Sequence, residues 1–194
     1  MGHDGAVQIR PAVPDDAPDI ARVQVAAWRA GYAGLLPADV LAGLDEPDWA
    51  RRRRENIEKS AGHILVVGDP AITGFAAFGA SRAGGDGGEL YAFYLDPTRW
   101  RQGLGSALMR VVLAALDAAH PHSVLWVLRG NVRARAFYAV HGWTADGEAT
   151  MATGPHGVVL DEVRLVRSRS PAGPPAAGRP GPSAPPSPPA GPAR

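Results

Sequence analysis

The chain has 194 residues, with 20 lysines and arginines against 19 aspartates and glutamates and no cysteine. That excludes disulfides, thiolate metal sites and a covalent cysteine intermediate. The length implies one domain. No apolar run reaches the length of a membrane span, and His3 and Asp4 before the first strand lack the basic-then-apolar order of a signal peptide, so a cytoplasmic protein that does not engage a membrane is expected.

Val7 to Val13 alternates like a short strand, and Pro14-Asp15-Asp16 is a helix-start signal with acids placed well for the helix dipole. Ile20, Val23, Ala27 and Trp28 then repeat at helical spacing, which predicts a first helix with one apolar stripe. Gly31 and Gly34 break it, and Pro37 suits a first helical turn in the apolar connection that follows. Asp48 to Lys59 predicts a second helix, with Arg51 to Glu55 and Arg54 to Glu58 at i, i+4 spacing. Its four consecutive arginines spread around the helix beside acids and read as a solvated face rather than a nucleic-acid surface. His63 to Val67 and Ile72 to Ala80 are two strand-like runs joined by Gly68-Asp69-Pro70.

Leu90 to Leu95 reads as a buried strand ended by Asp96-Pro97; an arginine- and glycine-bearing turn follows, and Leu104 opens an amphipathic helix with apolar residues at 104, 108, 111 and 115. Glycines just before a helix leave its first N–H groups unscreened, where the dipole adds positive charge, so an anion is expected there. The P-loop pattern is absent, and the dinucleotide fingerprint would need a third glycine where Leu108 stands. Ser123 to Leu128 is another buried strand, and Asn131 is placed to cap the helix after it. Trp143 to Thr150 and Val158 to Val166 read as a closing antiparallel pair.

From Ser168 to Arg194 the sequence is Ser, Arg, Pro, Ala and Gly without one large apolar residue, so a disordered tail is expected, leaving residues 1–167 as the domain. All 19 acidic residues but only 17 basic ones precede Ser168, giving the domain a net charge of −2. The overall pI of about 8.2 therefore does not imply a basic face for nucleic acid. The six histidines show no metal-ligand spacing, and no metal is expected.

Two stretches together carry a family resemblance. Trp100-Arg101-Gln102-Gly103-Leu104-Gly105 resembles the Gln/Arg-x-x-Gly-x-Gly/Ala pyrophosphate loop of the GNAT superfamily of acyl-CoA-dependent N-acetyltransferases, departing at Trp100, which Arg99 and Arg101 flank. About 25 residues on, Asn131 to Trp143 resembles the family's N-x-x-A-x-x-F-Y-x-x-x-G-[FW] block, matching Asn131, Ala134, Phe137, Tyr138, Gly142 and Trp143. Composition and pattern alone give α/β or α+β. The resemblance, spanning Val7 to Arg167, implies an α+β fold of three α/β/α layers with a mixed central sheet in the order βααβββαβαββ.

It also implies acetyl-CoA as cosubstrate, held by Arg101, Gln102, Gly103, Leu104, Gly105 and Ser106 at the phosphates and by Asn131 at the pantetheine arm, although helix capping alone accounts for an Asn there. Main-chain N–H groups near Tyr94 and Leu95 would receive the thioester oxygen. Trp28, Tyr32 and Leu35 would wall the acceptor site, although core packing also explains large residues on that stripe. The implied reaction is acetyl transfer to a primary amine by direct attack in a ternary complex. It needs an unprotonated amine, a place for charge on the oxygen and a proton for the departing thiolate. Glu89 is the candidate base, with a solvated strand-end Glu as the alternative. Tyr138 is the candidate acid, since a phenol keeps its proton at neutral pH. The competing functional class is a non-catalytic acyl-CoA-binding sensor or scaffold. The amine acceptor is a small molecule or a peptide, and the chain a monomer or homodimer.

Overall fold

The computed structural model describes residues 8–60, 62–68 and 70–169. Apart from Ser168 and Arg169, the tail expected to be disordered lies outside the described residues, as do Val7 and Asp69. The elements run β1 (Ile9–Pro11), α1 (Ala17–Gly31), α2 (Ala38–Ala42), α3 (Glu46–Glu58), β2 (His63–Gly68), β3 (Ile72–Ala80), β4 (Gly88–Leu95), α4 (Leu104–Ala119), β5 (His122–Leu128), α5 (Val132–Ala139), β6 (Thr144–Thr153) and β7 (Val159–Ser168). This is the expected order with one addition. The Pro37 turn grows into the short helix α2, because Pro37 stands as its N-cap and Leu41 buries its single apolar side.

One mixed seven-stranded sheet, in the order β1-β2-β3-β4-β5-β7-β6, divides the molecule. All neighbours are antiparallel except β4 and β5, which α4 joins as a parallel crossover. One sheet face carries α4 and α5. Leu108, Met109, Val112 and Leu116 lie at helical spacing on α4 and meet Leu125 and Val127 of β5, Val163 and Leu165 of β7, and Tyr138 of α5. Ile20 and Val23 of α1 cover the other face over Val66, Ile72 and Phe75, and Val25 and Trp28 continue that layer with Leu36, Leu41, Leu44, Leu128 and Leu160. The result is the α/β/α layering of an α+β fold.

The loop into α1 is fixed by a buried acid. Asp16 accepts from the Val13 N–H at 2.8 Å and takes both terminal nitrogens of Arg10, at 2.6 and 2.9 Å. The arginine run on α3 is not wholly a solvated face. Arg51 pairs with Glu55 as expected, but Arg53 turns inward, donating to Gln24 at 2.8 Å and lying 5.0 Å over the Phe75 ring. Burial lowers its pKa.

Candidate active site

β4 and β5 pair only from Gly88 to Leu90 and from Ser123 to Leu125, and then part. Each is drawn away by its other neighbour: β4 stays registered on β3 through Leu95 opposite Gly74, and β5 on β7 through Leu128 opposite Glu162. Between them opens a cavity of about 640 Å³. Asp96 N–H donates to the Thr73 carbonyl at 2.8 Å, which sets the phase of the β3–β4 ladder. Alternation then turns the N–H groups of Ala92 and Tyr94 toward β3 and those of Phe93 and Leu95 into the cleft. Two main-chain donors thus stand in mid-sheet without a strand to receive them. Tyr94 and Leu95 both line the cavity, but of their two N–H groups only that of Leu95 faces it.

The cavity ends at the start of α4. Gly103, at φ +82°, is the helix N-cap in the left-handed region, and no side chain caps the helix. The first amide to return to the cap is Ala107 N–H, bonded to the Gly103 carbonyl at 3.0 Å, so the N–H groups of Leu104, Gly105 and Ser106 have no acceptor within the helix. Arg99, Arg101 and Arg133 line the same end, and among the described residues none of the three forms an ion pair. Burial first, then the like charge of Arg101, lowers the pKa of Arg133. Three guanidiniums without an ion pair thus surround a helix N-terminus, a positive field that suits an anion. Gly103, Gly105 and Ser106 line the cavity at this end. Gln102 and Leu104 do not line it with their side chains: the Gln102 amide donates to the Thr98 carbonyl at 3.0 Å inside the turn, and the Leu104 side chain is buried, leaving only its main-chain N–H at the helix start. Arg133 was missed from the sequence, although it sits two residues after the cap Asn131, where a residue of the first helical turn can face the α4 N-terminus.

Tyr138 is buried on α5, with its ring edge-on to Phe137 and Trp143, and it lines the cavity. Burial, and secondarily Tyr94, pushes its phenol well above the usual value, so it holds its proton throughout the neutral range. Asn131 caps α5 through its side-chain oxygen, which accepts from Ala134 N–H at 3.1 Å. That leaves its amide group toward the cavity it also lines.

The acceptor-side candidates separate. Tyr32 lines the cavity, and burial raises its phenol well above normal, with Tyr94, Tyr138 and Glu162 acting in the same direction. Trp28 does not line it: the indole packs edge-on against Tyr32 and Trp49 in the α1–α2 core. Leu35 is exposed and lies over Gly130, outside the cavity. Glu89 is neither a solvated strand end nor part of this cavity. It is 3 % exposed, and Arg82 occupies both its oxygens, with main-chain N–H to Oε2 at 2.9 Å and Nε to Oε1 at 3.0 Å. It faces a second cavity of about 550 Å³ beside Arg82 and His122. To take a proton from an amine this carboxylate would have to give up its guanidinium, so the geometry does not favour it as the base. Trp126, absent from the expectations, borders both cavities.

Among the described residues no cluster of His, Asp or Glu could hold a metal ion, and no helix is long and apolar enough to cross a membrane.

Comparison with known proteins identifies the family to which this arrangement belongs. Residues 27–143 match the family model "Acetyltransferase (GNAT) family", and the chain belongs to that family. It is 37 % identical over 130 residues to the uncharacterized N-acetyltransferase YuaI of Bacillus subtilis, covering 64 % of this chain and 73 % of that one. Among solved structures it resembles the PaiA N-acetyltransferase of Thermoplasma acidophilum in complex with coenzyme A, with a TM-score of 0.67 at 16 % identity over 84 % of this chain and 99 % of that one. It likewise resembles YncA of Salmonella typhimurium with its cofactor acetyl-CoA, with a TM-score of 0.63 at 20 % identity over 89 % and 99 %.

Proposed function

We propose that the chain moves an acetyl group from acetyl-CoA to a primary amine by direct attack within a ternary complex. The observation that carries this reading is the cleft between β4 and β5, with unpaired main-chain donors along one wall, Tyr138 on another and an uncompensated cationic helix N-terminus at its end. The N–H groups of Leu104, Gly105 and Ser106, with Arg99, Arg101 and Arg133, would hold the pyrophosphate and 3′-phosphate. The pantetheine arm would run along β4 as a hydrogen-bonding edge, with the Asn131 amide beside it.

Fixed in this way, the thioester carbonyl meets the Phe93 and Leu95 N–H groups, which would take the negative charge that develops on its oxygen. The amine nitrogen forms the new C–N bond, the C–S bond breaks, and Tyr138 gives its proton to the departing sulfur. The proton lost by the amine restores the phenol, so amine and thioester become amide and thiol with no net proton change. Any phenol hydrogen-bonds a thiolate more strongly than a neutral thioester sulfur, so its help is largest as the sulfur leaves.

The test is thiol release from acetyl-CoA across a panel of butylamine, lysine amide and an alanyl peptide amide, with calorimetric titration by acetyl-CoA alongside. Turnover with any of these supports the reading. Acetyl-CoA binding without turnover assigns the chain instead to the non-catalytic acyl-CoA-binding class.

A further inference from the structure

The reaction leaves the acceptor unnamed, and the second cavity bears on what it is. Trp126 forms a wall shared by the two cavities. It stands on β5 in the phase of Val124 and opposite Arg164 of β7, and all three line the second cavity. These side chains therefore lie on the sheet face away from α4, whereas Leu125 and Val127 pack beneath that helix. One molecule can reach from the parted strands, over the indole, into the second cavity beside the β3–β4 connection, which supplies Arg82 and Gly87.

Acids and bases are unequal across the two linings. Arg99, Arg101 and Arg133 border the first cavity, where the cosubstrate's phosphates would meet them, and Arg82 and Arg164 border the second. Among the described residues Glu89 is the sole acid on either lining, and Arg82 takes up both its oxygens. The two arginines of the second cavity are only half engaged. Arg82 turns Nε and Nη2 to Glu89, and Arg164 sets Nε and Nη2 against Asp146 at 2.8 and 2.7 Å, so Nη1 of each has no acceptor among the described residues. Arg164 is further fixed with its guanidinium 6.0 Å from the centre of the Trp126 ring. The Trp126 indole N–H makes no hydrogen bond among these residues, nor does the ring of His122, which sits so close over Gly87 that a Cβ there would come within 2.7 Å of Nε2.

A cavity that offers several N–H donors, and whose own carboxylate is fully used, matches a ligand group made of acceptors. Among groups that share a molecule with an amine, a carboxylate fits best, because the open edge of a guanidinium forms charge-assisted hydrogen bonds to it, and a guanidinium already held in place loses little freedom in doing so. The tail of a polyamine would instead bring a second cation to two guanidiniums with no acceptor left to receive it.

We propose that the second cavity is a subsite for a carboxylate carried by the acceptor, with Arg82 and Arg164 binding that group and Trp126 setting its separation from the reacting amine. The acceptor is then an amino acid or short peptide whose amine and carboxylate are several bonds apart. The inference rests on the acetyltransferase reading above and narrows its primary amines to those with an anionic tail.

The experiment measures kcat/KM for glycine, β-alanine, γ-aminobutyrate and ε-aminocaproate, each beside its own amide, with calorimetric titration by acetyl-CoA as a check on the folded site. Wild type should prefer acid over amide by about tenfold among the longer members, the size of one charge-assisted contact, and show no preference with glycine, which is too short to pass the indole. In Arg164→Gln the acid-to-amide ratio should fall toward one, with the acetyl-CoA Kd within about twofold of wild type. Arg82→Lys, which keeps a cation for Glu89 but removes the open guanidinium edge, should also lower the ratio, and it carries the comparison if Arg164→Gln melts below the assay temperature. A wild-type ratio of one or less at every length, turnover of butylamine but of none of these acids, or a ratio unchanged in both variants overturns the subsite while leaving the acetyltransferase intact. A wild type that binds acetyl-CoA but acetylates no amine at all overturns both.

Discussion

The guanidinium of Arg133 lies 3.5 Å above the centre of the Trp100 ring. Trp100 occupies the first position of the glycine loop, where the family pattern carries Gln or Arg, and its indole N–H is tied to the Leu95 carbonyl at 3.0 Å. The tryptophan thus acts as a platform that holds an arginine from α5 at the loop, so the charge missing from the motif arrives from another element. A stacked guanidinium is pre-oriented and loses little freedom when it meets a phosphate.

Arg133→Ala should therefore weaken acetyl-CoA binding by about tenfold, in keeping with one charge-assisted contact of about 1.5 kcal/mol. Trp100→Ala, which leaves the arginine but removes its platform, should give a smaller loss in the same direction. Calorimetric titration at low and moderate salt checks both, and the Arg133→Ala deficit should narrow as salt rises.

The two loop glycines should respond differently to aspartate. At Gly103 a Cβ would meet nothing within 4 Å, so Gly103→Asp costs about 1 to 2 kcal/mol for its left-handed backbone and should abolish acetyl-CoA binding by repulsion of the phosphates. At Gly105 a Cβ would come within 2.9 Å of Leu95 Cδ1 and 3.3 Å of Phe137, so that variant should also lose packing between β4, α4 and α5. A thermal melt beside each titration separates the two, with Gly105→Asp melting lower.

Tyr138→Phe keeps the ring against Phe137 and Trp143 and removes only the proton. Turnover should fall by about 10² to 10⁴ with acetyl-CoA affinity little changed. Initial-rate patterns should intersect rather than run parallel, because the chain has no cysteine to carry the acetyl group. Near-native turnover with chemistry rate-limiting would return Tyr138 to a packing role.

The same burial predicts the alkaline limit of stability. Tyr32 and Tyr138 both have folded-state pKa values raised above the ordinary phenol value near 10, so they favour the folded state below that value. This contribution is lost as pH rises through the folded values, since only the unfolded chain can release the protons early. Melting temperature should fall above about pH 10, and less steeply in Tyr138→Phe.

At the acid end the sign reverses. The Arg10 hydrogen bonds hold the Asp16 carboxyl below its usual value despite its burial, with the Val13 N–H and the Arg10 charge adding to the effect. Its stabilisation is present above the unfolded value near 3.9 and is lost as pH falls through the folded one. Asp16→Asn should lower stability at pH 7 by about 1 to 2 kcal/mol and flatten the acid limb of a denaturation profile, because it removes the charge from a buried carboxylate whose arginine partner is partly exposed.

What could be read from the sequence was whatever depends on neighbours along the chain. The strand ending at Leu95, the glycine turn and the cap at Asn131 each rest on local spacing; the stripe of α4 was read only in part, since Val111 and Ala115 are exposed and Met109, Val112 and Leu116 join Leu104 and Leu108 on the buried side. Two motifs in fixed order were enough to name the family and hence the fold. Contacts across the sheet were less accessible. Glu89 looks like a free strand-end acid until the β3–β4 connection folds Arg82 onto it, and Trp28 looks available to substrate until Tyr32 and Trp49 close over it. Arg133 carried no motif at all. It matters because α5 brings it over Trp100 beside Arg99 and Arg101, a juxtaposition that only the folded arrangement makes.

The early parting of β4 from β5 bears on more than chemistry. A sheet that stops pairing after three residues leaves the N–H groups of Phe93 and Leu95 without a strand partner. A pantetheine arm laid between the strands would serve as a substitute strand, so the cosubstrate would be part of what holds the two halves of the sheet together. By mass action, saturation at a hundred times Kd would add about 2.7 kcal/mol to the unfolding free energy. The lifetime of such a protein against proteolysis would then follow the acetyl-CoA supply around it, making abundance itself a readout of metabolic state.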